Sequence, residues 1–131
     1  MATIKNCTDL EQSRKLSEFL SIESADMHYN NVSIKGINYV DEHRAELMDY
    51  ITAKTVLSKY MINPLFEVIP CWSLAALLNV LPYPTLYQQR DGAWGLDVWV
   101  EQVKPYSVKN AICEVDACYE MILKLHKQNV L

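Results

Sequence analysis

The chain has 131 residues, of which 50% are hydrophobic and 21% charged, and this is the composition of a folded globular domain with a substantial core. A net charge of −4, with no basic run longer than two residues, argues against the positive surface of a nucleic-acid-binding protein. The sequence contains neither a leader pattern at its start nor an apolar run near the ~20 residues of a membrane span, so we expect a cytoplasmic protein without membrane contact.

The first predicted element is a helix that begins at Thr8. Thr8 and Glu11 have the spacing of a capping box, in which the threonine hydroxyl accepts from the Glu11 amide and the carboxylate accepts from the Thr8 amide. A modest apolar stripe follows at Leu10, Leu16, Phe19 and Leu20. We expect this helix to end near residues 21–23.

The next segment has the alternation of a half-buried strand or a hairpin. Met27 and Tyr29 alternate with polar neighbours at a period of two residues. If the segment is a hairpin, Asn30 and Asn31 are its expected turn.

Residues 42–61 give less definite patterns. Apolar positions in residues 51–61 have helical spacing, with Thr52 as the expected N-cap. Residues 42–50 fit either a helix or an extended connection. Pro64 and Pro70 then hold the chain extended up to a central helix.

The longest apolar run, Ile69 to Pro82, predicts a short buried helix. Its leucines recur at the spacing of one helix face, at Leu74, Leu77, Leu78 and Leu81. Ser73 is the predicted cap, and Pro82 prevents the helix from continuing. Because Asn79 is the one plainly polar residue on the remaining surface, we expect this helix to contact protein on most sides.

A β-hairpin follows the central helix. Residues 85–90 and 96–103 are predicted strands, joined by a glycine-bearing loop at residues 91–95. Side chains of the second strand are expected to alternate, with Leu96, Val98 and Val100 facing the core and Asp97, Trp99 and Glu101 facing outward. Residues 106–112 are predicted as a third strand.

A C-terminal helix is predicted over residues 115–128. Its core stripe consists of Cys118, Met121, Ile122 and Leu125, with acidic residues in the first turn and basic residues in the last. Helices near the start, centre and end, with antiparallel strands between them, predict an α+β fold. We expect one domain over residues 1–131, in which a small antiparallel sheet packs against the N-terminal, central and C-terminal helices.

Four segments resemble a family of small uncharacterised proteins from prophages and phages of gut bacteria. They are PCWSLAALLNVLP at 70–82, PTLYQ at 84–88, WGLDVWV at 94–100 and VDACYEMILKLH at 115–126, with a weaker similarity at residues 23–27. The resemblance covers about the C-terminal half of the chain and brings no catalytic residues with it. It implies a phage or mobile-element accessory protein that acts inside the bacterial cell.

The sequence predicts no catalytic residue, cofactor or metal. The three histidines, His28, His43 and His126, lack the spacing of metal ligands, and the four cysteines lack CxxC pairs. Cys71 and Cys113 each precede a predicted helix, which is the best argument for a reactive thiol, although a cysteine in an apolar segment is usually a packing residue.

Aromatic residues cluster around the hairpin, and from this cluster we take Tyr87, Trp94, Trp99 and Tyr106 as the candidate interaction surface. Such residues pack in cores, contact proteins or stack bases, and the scarcity of nearby Lys and Arg argues against nucleic acid. We therefore expect a noncatalytic protein-interaction module whose partner is another protein or a second copy of the chain. The alternative is a small enzyme or small-molecule-binding protein with a pocket built from residues distant in sequence.

Overall fold

The computed structural model describes residues 5–34, 37–40, 66–100 and 104–131. Its helices are α1 (Leu10–Leu16), a 3-10 helix (Ile22–Ser24), α2 (Leu74–Val80) and α3 (Glu114–Lys127). Its strands are β1 (Met27–Ile34), β2 (Ile37–Val40), β3 (Phe66–Cys71), β4 (Pro84–Gln88), β5 (Trp94–Val98) and β6 (Tyr106–Ala111). Helices combined with antiparallel strands confirm the predicted α+β class.

The strands form two three-stranded antiparallel sheets where the sequence predicted one small sheet, in the orders β2-β1-β3 and β4-β5-β6. The chain divides into two compact units, one formed by Cys7–Ser73 and the other by Leu74–Leu131 with the residues before Cys7. Each unit contains one sheet. The expectation of a single domain stays a prediction.

In the first unit, β1 is the central strand and runs without a break through Asn30 and Asn31. Asn30 pairs with Val68 of β3, and Asn31 pairs with both β3 and β2. The predicted hairpin turn at these asparagines is therefore wrong. The ladder on both edges of β1 keeps the two residues extended despite their preference for turns.

Helix α1 has a capping box one residue later than predicted. The Asp9 carboxylate accepts from the Gln12 amide at 2.8 Å, and the Gln12 side-chain oxygen accepts from the Asp9 amide at 3.2 Å. The Thr8–Glu11 box is thus wrong, because the Thr8 hydroxyl bonds other partners. Helix α1 also ends at Leu16, before the predicted limit.

Thr8 is the centre of a buried polar network. Its hydroxyl accepts from the Trp72 amide at 3.1 Å and bonds the Ser13 hydroxyl at 2.8 Å. Its carbonyl accepts from the Tyr29 hydroxyl at 2.7 Å and from the Cys71 thiol at 3.3 Å. The network ties the start of α1 to β1 and β3, and it satisfies polar groups that burial would otherwise leave costly.

The predicted central helix is confirmed, because α2 begins at Leu74, directly after the predicted cap position, and ends before Pro82. The extended lead expected before it is also confirmed, as the strand β3, in which Pro70 pairs with His28. Ser73 donates its hydroxyl and its amide to the Asp26 carboxylate.

Helix α2 is buried on one side only. Leu77 is fully buried, whereas Ala75 and Asn79 are exposed. The expectation that this helix contacts protein on most sides is therefore wrong. The two turns of α2 contact α3 through one stripe of side chains.

In the second unit, α3 packs against β5 and β6. The predicted hairpin, third strand and C-terminal helix are all confirmed, although β5 ends at Val98, earlier than predicted. The core stripe of α3 is fully buried as predicted, at Cys118, Met121, Ile122 and Leu125. Leu96 and Val98 are also fully buried, so they face the core as expected. The same expectation is wrong for Val100, which is 39% exposed because β5 ends at Val98 and the alternation of the strand stops there.

Within the described residues, no helix has the length and apolar character required to cross a membrane. The predicted helix at 51–61 with its Thr52 cap, the segment 42–50 and His43 all lie outside the described residues.

Candidate interaction surface

Two of the four predicted surface residues, Tyr87 and Trp94, lie away from Trp99. Tyr87 of β4 pairs with Gly95 of β5, and its ring covers that glycine so closely that a Cβ there would overlap it. Trp94 begins β5, and five residues of extended chain separate it from Trp99 by about 16 Å. Both aromatic side chains are half-buried. The four residues therefore do not form one continuous surface.

Trp99 and Tyr106 lie together at the end of the second sheet where β5 stops and β6 starts. Val98, the residue before Trp99, pairs with Tyr106 on one side and with Pro84 on the other. Tyr83 precedes Pro84 and Trp99 follows Val98, so these two residues flank the last cross-strand pair of β4 and β5. Three aromatic residues thus lie at or next to the strand ends on one side of the second sheet.

We call this edge the sheet-end surface and define it as Tyr83, Trp99, Val100 and Tyr106. Tyr83 is 82% exposed and Trp99 is 40% exposed. Six large hydrophobic side chains are exposed among the described residues, and Tyr83, Trp99 and Val100 are three of them. Exposed apolar residues gathered at one place are typical of a binding surface, whereas scattered ones carry no such meaning.

Tyr83 was missed as a site residue in the prediction from sequence. Its φ is +43°, in the left-handed region that costs a residue with a Cβ about 1 kcal/mol or more. Pro82 and Pro84 on either side were the available signal, since both restrict the backbone around it. The fold thus holds an exposed aromatic side chain in an unfavourable backbone conformation.

A cleft of about 600 Å³ opens beside Tyr106. Its walls are apolar at Val100, Pro105 and Val130, and it is bordered by Lys104 and Lys124. Lys124 extends from α3, and its ammonium donates a 2.9 Å hydrogen bond to the Ser107 carbonyl in β6. The cleft therefore combines a nonpolar interior with positive charge at its border.

Three of the four cysteines, Cys71, Cys113 and Cys118, have raised thiol pKa values. Hydrogen bonding to Cys7 and burial raise the pKa of the Cys71 thiol. Burial is also the main cause that raises the pKa of Cys113, the N-cap residue of α3, and it raises that of Cys118 to about 12. A reactive thiol requires a lowered pKa, so these positions favour the packing interpretation of the cysteines.

The described histidines lie in separate places. His28 is buried in β1, and His126 is exposed near the end of α3, where its Nδ1 lies 3.2 Å from the Leu131 carbonyl oxygen. Within the described residues, no three His, Cys, Asp or Glu side chains come together as a metal site.

The chain matches no family model, no curated protein and no solved structure. The proposed function therefore rests on the geometry of the sheet-end surface.

Proposed function

We propose that this chain is a noncatalytic protein-interaction module that binds its partner through the sheet-end surface. The observation that carries the proposal is that Tyr83 and Trp99, both exposed, flank the same strand pair at one end of the second sheet. Tyrosine and tryptophan are the side chains that contribute most energy at protein interfaces, because they bury a large area with few rotatable bonds.

The backbone of Tyr83 supports the same proposal. A residue in the left-handed region persists only when its surroundings hold it there, and such positions concentrate at functional sites. Because the side chain is 82% exposed, it gains little packing energy within the chain that would offset this cost. Burial against a partner would supply that energy.

The sequence resemblance suggests where this binding takes place. It favours an accessory protein of a phage or mobile element in the bacterial cytoplasm. We propose a protein of the host or of the element as the partner, and a second copy of the chain as the other candidate.

A pull-down from bacteria that carry the element tests the surface. The wild type, Trp99→Ala and Tyr83→Ala are compared with Ile112→Ala, which removes an exposed apolar side chain at the opposite end of β6. We expect the first two variants to lose about tenfold or more of the captured partner and Ile112→Ala to retain it. Circular dichroism first establishes that all four proteins are folded.

Sedimentation of the purified protein separates self-association from binding to another protein. Dimers that dissociate with Trp99→Ala identify a second copy as the partner. The proposal fails if Trp99→Ala and Tyr83→Ala bind and sediment like wild type, since the partner would then use another part of the chain.

A further inference from the structure

We propose that the cleft beside Tyr106 binds a small organic anion, in which a carboxylate is carried on an apolar body. The cleft shares Val100 and Tyr106 with the sheet-end surface and differs from it in chemistry, because Lys104 and Lys124 also line it. The inference goes beyond the interaction proposed above and does not depend on it.

The size of the cleft and the chemistry of its walls support a small molecule as its ligand. A volume of about 600 Å³ lies within the ~300–1,000 Å³ of typical ligand pockets. Val100, Pro105 and Val130 supply apolar walls, and the Tyr106 ring adds an aromatic one. Contact with these residues would remove part of a hydrocarbon or aromatic body from water.

The charge at the border selects an anion. Lys104 and Lys124 border the cleft, and none of its described lining residues is acidic, although the chain as a whole has a net charge of −4. Two ammonium groups next to apolar side chains attract an anionic group, and a carboxylate can accept a charge-assisted hydrogen bond from each.

Lys124 is positioned for this contact before any ligand binds. Its hydrogen bond to the Ser107 carbonyl at 2.9 Å holds the ammonium between α3 and β6. A lysine ammonium has three donors, so this bond leaves others for a carboxylate. Lys104 lies on the segment that leads into β6 and also lines the cleft.

Calorimetry with 2-naphthoate and 2-naphthamide tests the proposal. The two probes share an aromatic body and differ in charge, so a site for apolar anions binds the carboxylate about tenfold more tightly than the amide. Amide chemical shifts in a nitrogen-15 spectrum locate the site. We expect changes at Val100, Ser107, Lys124 and Val130.

Variants assign the charge to particular residues. Lys124→Gln and Lys104→Gln should each weaken naphthoate binding by about tenfold and leave naphthamide binding unchanged. Lys109→Gln is the matched control, because it removes an exposed lysine of β6 that does not line the cleft. Thermal unfolding establishes that each variant is folded, and Lys104→Gln tests the charge without altering the bond between Lys124 and Ser107.

Two outcomes would overturn the proposal. The first is the absence of saturable naphthoate binding at millimolar concentrations. The second is a failure of the controls: equal binding of naphthoate and naphthamide would assign the binding to apolar contact, and equal losses in all three lysine variants would assign it to general charge. The Trp99→Ala variant separates this proposal from the interaction module, because it alters the sheet-end surface and leaves both cleft lysines in place.

Discussion

The Tyr29 hydroxyl donates a 2.7 Å hydrogen bond to the backbone carbonyl of Thr8, and both residues are almost fully buried. The two residues are 21 positions apart in the chain, so the bond joins the segment before α1 to the central strand of the first sheet. Burial is the largest cause that raises the pKa of Tyr29, and a protonated phenol keeps this donor present at neutral pH.

Removal of that hydroxyl should weaken the first unit modestly. We expect Tyr29→Phe to lower the free energy of unfolding by about 1 kcal/mol, the usual net value of one buried hydrogen bond. The loss stays small because the Cys71 thiol also donates to the Thr8 carbonyl. Urea unfolding measures it, and Tyr83→Phe, at an exposed tyrosine, should change stability by less than about 0.5 kcal/mol.

Thr8→Val should cost more than the loss of the helix cap. The variant leaves the Trp72 amide without its buried partner, at about 1–3 kcal/mol, and it also removes the bond between the Thr8 and Ser13 hydroxyls, although the Ser13 hydroxyl keeps a 3.4 Å bond to the Thr8 carbonyl. Asp9→Ala removes an exposed cap and should cost about 1 kcal/mol. Chemical denaturation of both variants compares them, with Thr8→Ser as the variant that keeps the hydroxyl. A larger loss for Asp9→Ala would mean that the Thr8 network contributes little.

Gly95→Ala should destabilise the second sheet because the new methyl group overlaps the Tyr87 ring. The ring must move away and lose its packing on β5, at about 1–3 kcal/mol. A Tyr87→Ala background lacks the three atoms nearest to the new methyl group, so the cost of the same substitution should be smaller there. A double-mutant cycle of unfolding free energies measures this coupling, and additive effects would contradict the close contact.

Cys118 should make stability fall with pH in the alkaline range. Burial raises the pKa of its thiol from the ordinary 9.0 to about 12, so the unfolded chain releases this proton first. The stabilisation is complete below pH 9 and is lost as the pH rises toward about 12, by up to about 1.4 kcal/mol per pH unit. Cys118→Ala removes this contribution. Its unfolding free energy should decline less steeply with pH than that of wild type, and parallel curves would refute the prediction.

Local sequence patterns predicted the helices and strands in the second half of the chain well. The hairpin of β4 and β5 follows from two alternating runs around a glycine-bearing loop, and α3 follows from its apolar stripe and the charges at its ends. In both cases the interacting residues are near one another in sequence. The spacing of the apolar residues and the residues at the ends of each element are therefore enough to predict the structure. The exposed position of Trp99 was predicted by the same alternation.

Tertiary contacts decided the first unit and the candidate site. Asn30 is extended because it pairs with β3, and Asn31 because it pairs with both β3 and β2. Thr8 is buried where its polar atoms bond Trp72 and Tyr29. The register of β4, β5 and β6 separates the predicted aromatic cluster and brings Tyr83 and Trp99 next to the same strand pair.

By itself, the sequence determined the α+β class, the hairpin, the C-terminal helix and the outward face of Trp99. Only the tertiary structure decided which aromatic residues share a surface, where the cleft opens and which residue caps α1. The physical reason is the range of the interactions. Periodicity and capping act within a few residues, whereas register, burial and the pairing of polar groups depend on segments that are distant along the chain.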